Sequence, residues 1–166
     1  MSNETSFSAE LLRLLEENSL RSPETFAKLL GREPAEVQQE IARLEKEKVI
    51  LAYKAIVDDE KAQRRTVKAV IEVKLLPERG GGFDRLAQRI ARHSEVTSCF
   101  LMSGGYDLLV FLEGSTLQEV ALFVSEKLAT IRGVTATATH FMLRTYKEQG
   151  VLVGDAVDAD RLPISP

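Results

Sequence analysis

The spacing of apolar residues changes once along the chain, at about residue 66, and this change limits the folds that the chain can adopt. Before that point, apolar residues recur at intervals of three and four, which is typical of amphipathic helices. After it, apolar and polar residues alternate, which indicates a half-buried strand. The apolar positions of that strand are Val67, Ala69, Ile71, Val73 and Leu75. The sequence therefore predicts a helical first part followed by a part built on a sheet.

Three short helices are predicted within the first 50 residues. The first covers 9–17 and carries a stripe of leucines. The second begins after Ser22, a favoured N-cap followed by proline, and ends at Gly31. The third runs over 34–48, and this arrangement is the helix-turn-helix plan. The residues predicted to point inward from the second and third helices are Phe26, Leu29, Leu30, Val37, Ile41 and Leu44.

The second part of the chain predicts the element order βαββαβ, the ferredoxin-like plan with two helices on one face of an antiparallel sheet. We expect strands at 66–75, 96–102, 108–112 and 134–146, helices at 83–93 and 117–130, and a loop at 77–82. The second helix is predicted to present Leu117, Val120, Ala121, Val124 and Leu128. Because these helices cover only one face, the other face of the sheet needs a second chain to cover it. Residues 151–153 are a candidate edge strand for such a partner.

Four segments follow from these patterns, and together they define an α+β chain. We expect a winged helix-turn-helix domain over 1–50, and a linker over 51–65 whose first part, 51–57, is a wing strand. A ferredoxin-like domain over 66–153, which is expected to oligomerise through its uncovered sheet face, and a flexible acidic tail over 154–166 complete the chain.

Charge and composition exclude some partners and compartments. The 166 residues carry a formal net charge of −3, so the total does not favour nucleic acid or an anionic membrane. Up to residue 60 there are 8 Lys and Arg against 13 Asp and Glu, and the rest carries 14 against 12. The sequence has no apolar run of about 18 residues for a membrane span and no secretory segment. A single cysteine, Cys99, fits a reducing cytoplasm.

The sequence SGGYD at 103–107 lies between two predicted strands and forms the crown of a hairpin. Glycines at 104 and 105 permit positive φ and close approach of the backbone to a ligand. Their N–H groups can hold a carboxylate, and Asp107 can take an ammonium group. The alternative is a plain turn in which Asp107 caps its own backbone.

Several stretches in the correct order resemble the Lrp/AsnC (leucine-responsive, "feast/famine") transcription regulators over about residues 9–153. They are FAKLLG at 26–31, RLEKEKVILAYKAIVD at 43–58, VTSCFLMSGGYD at 96–107 and GV at 133–134. The resemblance implies homodimers formed through the sheets, assembling further to tetramers or octamers. It also implies a small effector, an amino acid, bound between subunits near the crown, and double-stranded operator DNA bound by the helix-turn-helix.

Carried onto this chain, the resemblance implies two groups of site residues. The effector would contact Ser103, Gly104, Gly105, Tyr106 and Asp107. The DNA would contact Ala35, Gln39, Arg43 and Lys46 on the third helix. Glu33 stands where relatives carry a Ser or Thr cap, and Gln39, Glu40 and Ala42 stand where basic residues are common in relatives. Glu36 and Glu40 flank the DNA-contacting face, and carboxylates weaken contact with phosphates. The alternative function is therefore an oligomeric small-molecule-binding module with a degenerate DNA-reading helix.

Other features of the sequence point to no further chemistry. The basic residues of 61–74 indicate a solvated surface more than a phosphate site, and His140 is placed at an interface or in the core. His93, His140 and Cys99 lack the spacing of metal ligands, so no metal and no cofactor are expected. Siroheme decarboxylases share a similar two-part architecture, but the His and Arg that they carry around the hairpin are missing from 100–111. No catalytic residue is assigned and no enzyme is expected.

Overall fold

The structure, a computed structural model, describes residues 2–77 and 82–154. The chain divides into two compact units, Met1–Ala55 and Ile56–Pro166. The predicted acidic tail beyond residue 154 and most of the predicted loop at 77–82 lie outside the described residues. No helix among the described residues is long and apolar enough to cross a bilayer.

The first unit contains three helices, α1 (Ser2–Glu17), α2 (Pro23–Leu30) and α3 (Pro34–Lys46). The Ser22 hydroxyl accepts the Thr25 N–H at 3.3 Å, and Gly31 ends α2 in the left-handed conformation with φ 62°. Both helix boundaries of α2 are therefore confirmed. α1 begins earlier than predicted because no glycine or proline interrupts the polar residues ahead of its leucine stripe.

The core of the first unit confirms most of the predicted inward positions. Its buried residues are Leu11, Leu14, Leu15, Phe26, Ala27, Val37 and Leu44, with Leu30 and Ile41 half-buried. Leu29 was wrongly predicted to point inward, since 56% of it is exposed. The buried face of α2 runs through Phe26, Ala27 and Leu30. This face therefore includes the small Ala27 and excludes Leu29.

The predicted wing strand at 51–57 is wrong for the single chain. These residues are all exposed and none is paired in a ladder. A strand needs a hydrogen-bonded neighbour, and this segment has no ladder partner among the described residues. The following residues, predicted as a linker, form hydrogen-bonded turns in the second unit, with Ala62 N–H donating to Asp58 O at 2.9 Å.

The second unit is a four-stranded antiparallel sheet in the order β2-β3-β1-β4. Its strands are β1 (Val67–Leu75), β2 (Val96–Leu101), β3 (Leu108–Gly114) and β4 (Val134–Phe141). Its helices are α4 (Asp84–Ala91) and α5 (Leu117–Leu122), the latter continuing as a π-helix over Phe123–Leu128. The ferredoxin-like prediction is confirmed. The buried residues lie on the helix-covered face: Ala69, Ile71, Val73, Leu75, Leu86, Ile90, Leu108, Val110, Leu112, Val120, Phe123, Leu128 and Ile131.

The π-helix after α5 changes which residues of this helix face the core. Leu117 and Ala121 were predicted inward but are exposed, Leu117 to 58%, whereas Phe123 is buried. Ala129 N–H donates to Val124 O at 2.8 Å, a bond that spans five residues. The wider turn shifts the helical phase, so a 3.6-residue period places the stripe incorrectly.

The end of the described chain folds on itself. β4 ends at Phe141 rather than at the predicted 146, and two short strands follow, β5 (Lys147–Glu148) and β6 (Val151–Leu152). β6, a candidate edge strand for a partner, pairs with β5 within the chain. Gln149 and Gly150 form the turn with φ 44° and 89°, a geometry that favours two-residue hairpins.

We expect Gly133→Ala to destabilise the second unit more than Gly150→Ala does. Both glycines have strongly positive φ, 102° and 89°, but a Cβ at residue 133 would lie 2.7 Å from Leu86 Cδ1, whereas one at residue 150 meets nothing within 4 Å. The free energy of unfolding should fall by about 3 kcal/mol for the first variant and about 1 kcal/mol for the second. Urea unfolding at one protein concentration measures the loss of stability in both variants. Equal losses would show that the Leu86 side chain moves aside at little cost.

Candidate functional site

The crown of the hairpin between β2 and β3 is a loop. Met102 N–H donates to Asp107 O at 2.8 Å and closes it. Gly104 has φ 150°, whereas Gly105 is not among the residues with positive φ. The backbone freedom of glycine is therefore needed at Gly104 and not at Gly105.

The crown is open on its outer side. Ser103, Gly104 and Gly105 are exposed, and Tyr106 and Asp107 are half-buried. A Cβ built on either glycine would meet no heavy atom within 4 Å. The structure therefore brings the five predicted effector residues together, but within one chain they form a surface and not an enclosed pocket.

Asp107 ties the crown to the central strand β1. Its carboxylate Oδ2 accepts the Leu75 N–H at 2.7 Å, and its own N–H donates to Val73 O at 3.0 Å. The predicted alternative, in which Asp107 caps its own turn, is wrong, because the side chain bonds a residue 32 positions away. This bond lies beside the irregularity between Lys74 and Leu75 in the pairing of β1 with β4. The Asp107 carboxylate therefore serves as the hydrogen-bond acceptor of the Leu75 N–H at this irregularity.

The outer face of α3 presents the four predicted DNA residues. Ala35, Gln39, Arg43 and Lys46 are all exposed. Lys46 has no ion-pair partner among the described residues, so its charge is available to a phosphate. Gln38, which the sequence prediction did not include, is also exposed and lies three residues after Ala35 on the same side of the helix.

Arg43 is bound by two carboxylates of its own helix. Its Nε and one terminal nitrogen donate to Glu40 at 2.9 and 2.6 Å, and the other terminal nitrogen donates to Glu47 at 2.6 Å. The hydrogen bond from Arg43 lowers the pKa of Glu40, and these bonds to Glu40 and Glu47 raise the pKa of Arg43. The guanidinium therefore lies along the acidic flank of α3.

The remaining candidate residues have local partners. Lys68, in the basic stretch, donates to Asp59 at 2.6 Å, which lies in the preceding turn. His140 is exposed and lies 3.4 Å from Glu72, and the His93 ring contacts Phe123 edge-on at 5.3 Å. Burial raises the pKa of the Cys99 thiol. Among the described residues, no group of three or more His, Cys, Asp or Glu is placed to hold a metal ion.

Comparison with known proteins supports the description of both units. A family model described as the Lrp/AsnC ligand binding domain matches residues 68–152, which include the sheet and the crown. The HTH-type transcriptional regulator YugG of Bacillus subtilis is 46% identical over 158 residues, which cover 95% of each chain. The chain belongs to the Lrp/AsnC family of transcriptional regulators. The Leucine-responsive regulatory protein of Haemophilus influenzae is 25% identical over 144 residues, 87% of this chain and 86% of that protein.

Solved structures share the fold of this chain. The Neisseria meningitidis regulator NMB0573, in complex with L-Met, has a TM-score of 0.68 at 21% identity and covers 88% of this chain and 94% of its own. AsnC of E. coli has a TM-score of 0.63 at 16% identity, covering 86% and 94%. At these identities the similarity establishes the Lrp/AsnC architecture and assigns no residue its role.

We expect Asp107→Ala to destabilise the protein and Asp107→Asn to do so by less than half as much. Alanine leaves the Leu75 N–H without an acceptor, at a cost of about 1–3 kcal/mol, whereas an amide oxygen can still accept it. Urea unfolding of the two variants measures the difference. Equal losses would mean that the charge of Asp107, and not this hydrogen bond, stabilises the crown.

Proposed function

We propose that this protein binds operator DNA as a homo-oligomer and that an amino acid bound at the crown, between subunits, controls that binding. The observation that carries the proposal is the 46% identity to a helix-turn-helix regulator over 95% of both chains. That match includes the helix-turn-helix and the ligand-binding domain together. A regulator of this kind acts in the cytoplasm, and its relatives' role in transcription assigns it no catalysis.

The uncovered face of the sheet supports assembly. Pairing of β1, β2 and β3 places Val70, Leu109, Phe111 and Phe100 on the face opposite the buried positions. Phe100 is 52% exposed and contacts Phe111 edge-on at 6.0 Å. A second copy seated on this face would remove these rings from water. The assembly we propose is a dimer that extends to a tetramer or an octamer.

The chemistry of the crown fits the two charged groups of an amino acid. The N–H groups of Gly104 and Gly105 have no hydrogen-bond acceptor among the described residues and can hold a carboxylate. The second oxygen of Asp107 can accept an ammonium group, since only Oδ2 is bonded to Leu75. The bound L-Met in the NMB0573 structure supports this class of ligand. A partner subunit beside the crown would supply the wall that a single chain lacks.

A thermal-shift screen against the twenty amino acids, with mass measured by light scattering, tests the effector. At about 100 times Kd a ligand adds about 2.7 kcal/mol, or a rise of about 5–10 °C in a chain of this size. We expect one amino acid to give such a rise together with a change in mass. Asp107→Asn should abolish the shift, and Asp84→Asn, on the exposed start of α4, should keep it.

Two results would count against the effector proposal. One is a screen in which no amino acid raises the melting temperature. The other is a shift that survives in Asp107→Asn, which would place the ligand away from the crown.

Fluorescence anisotropy with duplex DNA from upstream of the chain's own gene tests operator binding. We expect affinity to fall steeply with salt, because phosphate contacts release counterions. Lys46→Ala should lower the slope of log K against log salt by about one. Arg89→Ala, which removes an exposed cation of α4, should leave the slope unchanged.

We also consider a second function, because the carboxylates of Glu40 and Glu47 bind Arg43 of α3. In an oligomeric ligand-binding module without operator binding, the mass and the effector shift would be normal. Anisotropy would stay flat on every duplex, even at about 50 mM salt. That combination of results would replace the operator proposal and leave the effector proposal intact.

A further inference from the structure

Glu40 is a nearly enclosed carboxylate at the junction of α1 and α3. Its side chain is only 13% exposed. One oxygen, Oε1, accepts the Ser8 hydroxyl of α1 and an Arg43 nitrogen, both at 2.6 Å. The other, Oε2, accepts the Arg43 Nε at 2.9 Å. Glu40 therefore joins two helices and pairs side-on with Arg43.

Arg43 acts as the counter-ion of this carboxylate. A shielded charge that loses its partner is costly, so Glu40 needs the guanidinium beside it. The bond from Arg43 to Glu47 at 2.6 Å engages the remaining terminal nitrogen. All three nitrogens of Arg43 thus donate to Glu40 of α3 or to Glu47, the C-cap residue of this helix.

The face of α3 next to this acidic flank is uncharged. Ala35, Gln38, Gln39 and Ala42 follow one another at helical spacing and are all exposed. Alanines at its two ends leave room for the backbone to approach a groove. Between them are two side chains whose amide groups match the N6 and N7 edge of adenine in the major groove.

We propose that α3 reads adenine-containing base pairs through Gln38 and Gln39, while Glu40 and Glu47 withhold Arg43 from the DNA. The inference rests on the proposed operator binding and goes beyond it by assigning the base class and by taking Arg43 out of the interface. Non-specific attraction to the phosphates is then supplied by Lys46 and other unpaired cations. Base contacts therefore contribute a large share of the affinity, and the preference for particular sequences is strong.

The glutamine face is tested by selecting duplexes from a randomised pool with the full-length protein. The selected sites should contain adenine at fixed positions. Gln38→Ala and Gln39→Ala should each weaken binding to the selected duplex about 5–150-fold and relax the preference at one position. Binding to an unrelated duplex, and its salt slope, should not change. Variants that bind the selected duplex as tightly as the wild type would overturn the glutamine assignment.

The withholding of Arg43 is tested by releasing it. In the variant Glu40→Gln with Glu47→Gln, the salt slope should rise by about one, and adding Arg43→Ala should reverse that rise. The matched control, Glu33→Gln with Glu36→Gln, removes the two acids of the capping box of α3, which do not bind Arg43, and keeps amide oxygens that can accept the hydrogen bonds of that box. Its affinity should rise through charge alone, and Arg43→Ala added to it should leave the slope unchanged.

Arg43→Ala alone separates the two roles of this residue. We expect it to lower the urea midpoint of the wild-type protein by about 0.5 M while the salt slope stays the same. A slope that falls by about one with an unchanged midpoint would make Arg43 a phosphate contact and overturn the proposal.

Failure of operator binding gives a different pattern from failure of this inference. If the wild type binds no duplex but the released variant does, the operator proposal fails and the withholding of Arg43 stands. If neither binds, both are overturned. If the wild type binds and the glutamine variants are unaffected, only the glutamine assignment falls.

Discussion

The burial of one face of β1 is the constraint on which the second unit depends. Ala69, Ile71 and Val73 are completely buried against the helices, so the register of β1 with β3 and β4 cannot shift by one residue without exposing them. The same register places Val70 and Phe111 opposite each other on the other face. A sheet with helices on one side leaves the apolar residues of its other face to be covered by something else. The assembly that we propose would therefore follow from the same alternation that forms the fold.

Asp107 links this strand to the crown. Its two hydrogen bonds to β1, through Leu75 N–H and Val73 O, make the position of the loop depend on the end of the central strand. A ligand that used the other carboxylate oxygen would act on a residue already held by the sheet. The crown therefore combines a base held by two hydrogen bonds with an open outer side, which a neighbouring subunit would close in the assembly that we propose.

Part of the negative charge of the first unit is paired with its own cations. Its arginines are held largely by its own acids, as in the pairs of Arg21 with Glu17 and Arg43 with Glu40. What α3 presents outward is consequently neutral along its centre, with Lys46 at its end. An acidic total charge and a DNA-binding role are compatible when the carboxylates serve as partners for nearby cations and base contacts supply the specificity.

Sequence alone determined the order of elements, the caps of α2, the buried alternation of β1 and the family, because these depend on local period and short motifs. It placed Leu29, Leu117 and Ala121 incorrectly, since neither the selection of a helical face nor a π turn leaves a local signal. It also assigned a strand to 51–57, because β propensity does not reveal whether a neighbour is present. Only the tertiary structure brought Asp107 to Leu75 and Ser8 to Glu40, 32 residues apart in each case. Contacts at such separations follow from packing, and packing decides which polar groups are already occupied and which remain for a ligand.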